Sequence, residues 1–284
     1  MSELRRSVLI TGCAKGGIGH SLACSFQDAG LRVIATARNL ESMSDLKARG
    51  IETFTFDVTS LNDIQHMRKT VEELTVGTLD ILVNNAGKNC TIPTVEASDE
   101  DITSAFETNV FSVIRVVREF TPLLIRSKGI IVNIGSVAAV IPYVFSGIYN
   151  ATKGALHAYS NTLRLELAPF GVRVMVVVTG GVKSRITRTK RVLSDTSIYL
   201  PISDEFERRV THSQEGAMPN EVYAASVVKQ TLAARPPKWF WQGNRSWIIW
   251  FFDTFFGKRF WDWIFPYIFG LHKLSKILKG ENKK

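Results

Sequence analysis

At 284 residues and 45% apolar composition, the chain is long enough for one large core, and its formal net charge is +9 at pH 7. The charge is uneven: residues 244–284 hold eight Lys/Arg against three Asp/Glu, and no zinc-finger, RRM or helix-turn-helix pattern occurs, which argues against a nucleic-acid partner. The three cysteines (Cys13, Cys24, Cys90) lack CxxC spacing, so neither a disulfide framework nor a metal site is expected; an intracellular, reducing compartment fits, and no secretory signal core is evident.

In chain order, short β-branched runs alternate with longer segments of helical apolar spacing. Strands are expected at 7–11, 32–37, 52–56, 80–83, 129–134, 172–178 and 239–242, and helices at 17–29, 60–75, 99–125, 149–169 and 220–233. This predicts an α/β chain: a single Rossmann-type, doubly wound parallel sheet of about seven strands over residues 1–243, followed by an aromatic, basic, helical extension over 244–284. The run Ile130–Ile134 is apolar on both alternating faces apart from Asn133, as a strand buried between two helical layers requires.

The first strand ends in a glycine loop that holds Gly12, Lys15, Gly17, Ile18 and Gly19 and opens a helix. Glycines there let the backbone approach a pyrophosphate, while the helix offers free N–H groups and its positive end. The second strand ends at Arg38, 19 residues beyond Gly19, with no acid at the strand end. A cation in that register suits the 2′-phosphate of NADP(H), where NAD sites place a carboxylate; Lys15 adds a second cation. Tyr149 and Lys153 stand at i, i+4, on one helical face, where a fixed ammonium would lower the phenol pKa toward working pH. That spacing alone is common on solvated helices. Ser136 follows the fifth strand, Asn85, Ala86 and Gly87 end the fourth, and Asn109 lies inside a helix, where asparagine is a poor former.

Together these motifs, TGxxx(x)GxG, NNAG, a helical Asn, Ser and YxxxK, resemble the short-chain dehydrogenase/reductase family over residues 7–243. The resemblance implies that Tyr149 is the general acid for ketone reduction, that Ser136 holds the substrate oxygen, that Lys153 grips the nicotinamide ribose, and that Asn109 holds a relay water. It further implies that Asp57 and Val58 border the adenine, with Gly180, Val182 and Ser184 near the carboxamide. The chain departs from the family in having four residues between Gly12 and Gly17, Thr179-Gly180-Gly181 in place of Pro-Gly, and Ser184 where threonine is common.

Within the family, GGIGH, ATARN, YNATKGAL and VTGGV resemble fungal NADPH-dependent 1-acyldihydroxyacetone-phosphate reductases. That resemblance implies conversion of 1-acyldihydroxyacetone phosphate to 1-acylglycerol 3-phosphate (lysophosphatidate), at the cytosolic face of the endoplasmic reticulum or at lipid droplets. Reductases or dehydrogenases of steroids, retinoids and secondary metabolites stay open, as does a non-catalytic, nucleotide-sensing scaffold. The polar stretch 183–209 is expected to be a mobile substrate lid, and Lys183, Arg185, Arg188, Lys190 and Arg191 at its start could recruit a phosphate or simply be solvated. Between Trp247 and Phe269, twelve of 23 residues are aromatic, yet interspersed charges break any long apolar span. Such a segment suits a membrane or droplet interface, with Lys273, Lys276, Lys279, Lys283 and Lys284 toward anionic headgroups; a dimer-forming or tunnel helix is the alternative.

Overall fold

A computed structural model describes residues 5–185 and 191–281. Seven parallel strands, β1 (Ser7–Thr11), β2 (Arg32–Ala37), β3 (Glu52–Thr55), β4 (Ile81–Asn84), β5 (Ile130–Ile134), β6 (Arg173–Thr179) and β7 (Trp239–Gln242), pair in the order β3-β2-β1-β4-β5-β6-β7. The order reverses between β1 and β4, and their carboxyl ends there form the crevice in which doubly wound sheets bind ligands. Every residue of β1, β4 and β5 is buried, since helices cover both faces.

On one face α1 (Ile18–Asp28) and α2 (Ser44–Ala48) pack with the later α8 (Asn220–Thr231) around Leu22, Phe26 and Tyr223. On the other, α3 (Leu61–Leu74), α5 (Ser112–Ser127) and α6 (Gly147–Leu167) enclose Phe56, Phe120 and Leu156. The helix expected over 99–125 is divided: α4 (Asp99–Phe106) meets α5 through one wider, π-type turn, Glu107–Phe111, which carries Asn109. Such an insertion re-aims a side chain without ending the helix.

The region expected as a polar lid folds differently. Its end overlaps α7 (Ser203–Thr211), whose Phe206 is buried against Phe145, Leu193 and Ile202. Apolar Leu193, Ile202 and Phe206, spaced among charges, supply an inward face that a reading of overall polarity passes over.

The C-terminal segment forms α9 (Ser246–Phe256), α10 (Arg259–Ile268) and α11 (Leu271–Glu281). Trp261, Phe265 and Phe269 are buried against Ile141 and the partly buried Val137, Val140 and Tyr143 of the β5–α6 connection. Lys273 pairs with Glu205, tying α11 to α7. Part of the aromatic segment, Trp261, Phe265 and Phe269 with the partly buried Phe252 and Phe260, thus completes a second core. The rest faces outward: Trp247, Trp250, Phe251 and Phe255 share one side of α9 and are exposed. No helix among the described residues is long and apolar enough to cross a membrane.

Candidate active site

The glycine loop is welded to the end of β4. The Thr11 hydroxyl accepts the backbone N–H groups of Asn85 and Ala86, both at 3.0 Å, and the Asn85 amide donates to Thr11 O at 2.8 Å and Gly12 O at 3.0 Å. A Cβ on Gly19 would lie 2.4 Å from Asn85 Nδ2 and 2.5 Å from Gly12 O, so only glycine fits there. The tight turn belongs to Gly16, at φ +73°, a residue the sequence reading passed over in favour of its neighbour Gly17, which precedes α1. The extra loop residue is accommodated by the backbone bond from Lys15 N to Ser42 O, 2.8 Å.

These residues fit a dinucleotide. No side chain caps α1 and no acid lies in its first turn, which leaves its leading N–H groups and positive end facing the crevice. Arg38 is exposed at the end of β2 and makes no ion pair among the described residues. Lys15 is less available than expected, standing 3.7 Å from Asp45, which also contacts His20 at 2.9 Å. Asp57 accepts the Thr59 N–H and hydroxyl, shaping the loop after β3, with Val58 buried beside it. Gly180 packs so closely on the strap after β7 that a Cβ would meet Asn244 O at 2.3 Å, which accounts for glycine in this otherwise atypical turn. Val182 is buried, and the Ser184 N–H donates to Gln214 Oε1 at 3.1 Å.

At the same sheet edge, Ser136 follows β5, and Tyr149 and Lys153 lie on the first turns of α6. Ser136 Oγ accepts the Ala138 N–H at 3.1 Å, and its own N–H donates to His157 Nε2 at 3.3 Å. Lys153 is buried; its ammonium donates to Ile134 O at 2.8 Å and lies 5.8 Å from the Tyr149 ring centre. Asn109, brought in by the π-type turn, is fully engaged: it accepts the Lys88 N–H and donates to Lys88 O, both at 2.8 Å, and to Thr152 Oγ1 at 3.0 Å. Thr152 in turn donates to Tyr149 O at 2.8 Å, so Asn109 braces the helix that carries the tyrosine.

The electrostatics correct one expectation. Burial pushes the Tyr149 hydroxyl up to about 12, opposed by the Ser136 hydroxyl and the Arg209 guanidinium. Burial brings Lys153 itself down to about 8. Desolvation of both partners outweighs the attraction that their spacing suggested. Arg209, from α7, carried no signal in the sequence, because its surroundings there look like an ordinary charged helix face.

Three members of the expected cationic cluster fall among the described residues. Lys183 is exposed, Arg185 donates to Lys15 O at 3.0 Å, and Arg191 is committed to Asp101 at 2.5 Å; Arg188 and Lys190 lie outside the described residues.

Residues 6–193 match the family described as short chain dehydrogenase. The chain belongs to the short-chain dehydrogenase family. It is 41% identical over 278 residues to the short-chain dehydrogenase srdE of Neurospora crassa, covering 97% of this chain and 96% of that protein. It is 43% identical over 205 residues to the NADPH-dependent 1-acyldihydroxyacetone phosphate reductase of Schizosaccharomyces pombe, covering 70% and 69%. Among solved structures, a short-chain dehydrogenase from Streptomyces avermitilis superposes with a TM-score of 0.78 at 25% identity, over 97% of this chain and 98% of the other. The match to this fungal short-chain dehydrogenase thus extends over 97% of the chain, beyond the residues that the family description covers.

Proposed function

We propose that this short-chain dehydrogenase uses NADP(H) to reduce the ketone of an apolar, lipid-type substrate. The observation that carries the reading is the gathering of Ser136, Tyr149 and Lys153 at the sheet edge beside the glycine loop and an exposed Arg38. The α1 N-terminus would hold the pyrophosphate, Arg38 the 2′-phosphate, Asp57 and Val58 the adenine side, Asn85, Ala86 and Gly87 the groove, Tyr149 and Lys153 the ribose, and Gly180, Val182 and Ser184 the carboxamide. Bound there, NADPH supplies the hydride. Ser136 orients the carbonyl oxygen, and Tyr149 gives that oxygen its proton as the C=O π bond opens, leaving a phenolate that regains a proton from solvent along Lys153. In a Tyr149→Phe variant we expect substrate-dependent NADPH oxidation to fall by about 10²–10⁴-fold with NADPH binding retained; unchanged turnover would sink the assignment.

The leading substrate is 1-acyldihydroxyacetone phosphate, reduced to lysophosphatidate, supported by the relative that carries that name. A second reading, an uncharged steroid, retinoid or secondary-metabolite carbonyl, is favoured by the commitment of Arg191 to Asp101, which takes one cation out of any phosphate site. Initial rates with NADPH on 1-acyldihydroxyacetone phosphate, a keto-steroid, retinal and an aromatic polyketide-type ketone decide between them.

The outward face of α9, with exposed Trp263, Tyr267 and the lysines of α11, supports seating on an anionic lipid surface at the endoplasmic reticulum or a lipid droplet. Removing the segment would uncover Ile141 and Tyr143, so the test keeps the full chain. Trp247→Ser/Trp250→Ser/Phe255→Ser should abolish flotation with phosphatidylserine vesicles that the parent shows. A parent that stays with the soluble fraction, or a variant that floats equally, refutes it; a concentration-dependent dimer in the parent alone would assign the face to a second copy.

A further inference from the structure

Arg209 is only 3% exposed and makes no ion pair among the described residues. Its Nε donates to Val144 O at 2.9 Å, one terminal nitrogen donates to Ser146 Oγ at 2.6 Å, and its guanidinium carbon stands 3.5 Å from the centre of the Tyr143 ring. All three partners belong to the few residues that lead into α6, of which Ser146 is the N-cap and Tyr149 a first-turn member. The same segment is held from inside by Asn150, which donates to Tyr143 O at 3.0 Å. The far side of the box is closed by the C-terminal helices: Phe269 sits 5.5 Å from both the Tyr143 and His212 rings, and Tyr143 OH meets His212 Nδ1 at 2.5 Å.

A guanidinium is costly here. Burial without a carboxylate penalises the charge, and the positive end of α6 adds to the penalty. Neutral acceptors and a ring face offset part of it. The remaining demand is for negative charge that comes and goes at the start of α6, and the proton-exchanging group placed there is Tyr149.

We propose that Arg209 is a positioning residue for Tyr149: clamped on the Tyr143–Ser146 segment and sealed by Phe269, it fixes the first turn of α6 and supplies the positive field in which the tyrosine exchanges its proton. The inference rests on the reading of Tyr149 as the proton donor. It gives the C-terminal helices a role in the chemistry, since Phe269 holds the box shut. The direction of the electrostatics agrees: Arg209 is the cation that opposes the upward push of burial on Tyr149. Other charged or titrating groups face the box and Tyr149 from neighbouring elements: Lys153 lies 5.8 Å from the Tyr149 ring centre, Glu215 and Arg245 act on Tyr143 and His212, Arg208 acts on His212, and Tyr223 and Tyr149 act on each other. None of these is altered in the variants below.

The test measures pH profiles of kcat/KM for NADP+-linked oxidation of the alcohol formed from whichever ketone the parent reduces. In that direction activity rises as Tyr149 loses its proton. Arg209→Gln should move the rising limb up by about one pH unit, a loss of about tenfold at pH values below it, with NADPH affinity by fluorescence unchanged. Arg209→Lys keeps the charge and should restore most of the rate and the limb. Ser146→Ala, which removes one acceptor and leaves the charge, should shift the limb less, in the same direction, and carries the test if the glutamine variant loses its native circular dichroism. Superimposable profiles for a folded Arg209→Gln or, failing that, for Ser146→Ala overturn the proposal. Tyr149→Phe in parallel separates the two readings: if it too leaves turnover intact, the role of Tyr149 fails; if it abolishes turnover, only the role of Arg209 does.

Discussion

At the nucleotide end of the site, Thr11, Gly12, Asn85 and Ala86 interlock through four hydrogen bonds, each with one backbone and one side-chain partner, with no room for a single added carbon at Gly19. At the substrate end, Tyr143, Arg209, His212 and Phe269 come from three separated segments and are held mainly by ring faces, with two hydrogen bonds from the arginine. The first arrangement joins two strand ends through backbone groups and is intolerant of added volume. The second depends on long-range burial, so it fails when a large side chain is removed.

The largest effect should come from the substrate end. Phe265→Ala, which empties part of the second core around Ile141 and Trp261, is expected to cost about 3–5 kcal/mol in denaturant unfolding. A loss below about 1 kcal/mol would mean that the C-terminal helices are loosely seated, and the comparison would break. At the nucleotide end, Gly19→Ala forces a Cβ into backbone and should cost about 1–3 kcal/mol and weaken NADPH binding, measured by fluorescence titration. Gly154→Ala, on α6 with open space around it, should instead be neutral or stabilising by up to about 1 kcal/mol. Arg38→Ala should raise the KM for NADPH about tenfold while leaving that for NADH nearly unchanged, because one charge-assisted contact is lost.

A smaller effect concerns His157, which accepts the Ser136 N–H and packs on Trp239 at 5.1 Å. Burial pushes it down to about 3 from 6.5. Between those values the unfolded chain takes up a proton that the native protein refuses, so native stability falls as pH drops from about 6.5 toward 3. His157→Gln should reduce the Tm difference between about pH 7 and about pH 4.5; an undiminished difference would assign the acid sensitivity to other groups.

The family, the parallel sheet and the grouping of Ser136, Tyr149 and Lys153 were legible in the residues, because each rests on local pattern: β-branched runs for buried strands, glycines at a strand-to-helix turn, and i, i+4 spacing on a helix. The ionisation of Tyr149 was not, since spacing reports proximity while burial decides which charged form survives. Asn109 was visible as an anomaly inside a helix, but the π-type turn that aims it was not. In the C-terminal segment, the sequence by itself determined composition, aromatic and basic, and tertiary structure alone divided it into residues that seal the core, Trp261, Phe265 and Phe269, and residues that face outward, Trp247, Trp250 and Phe255. An aromatic ring is equally suited to a protein core and to an interface, so its identity cannot choose between them; the shape of the surface it meets, contributed by Ile141 and Tyr143 far away in the chain, makes that choice.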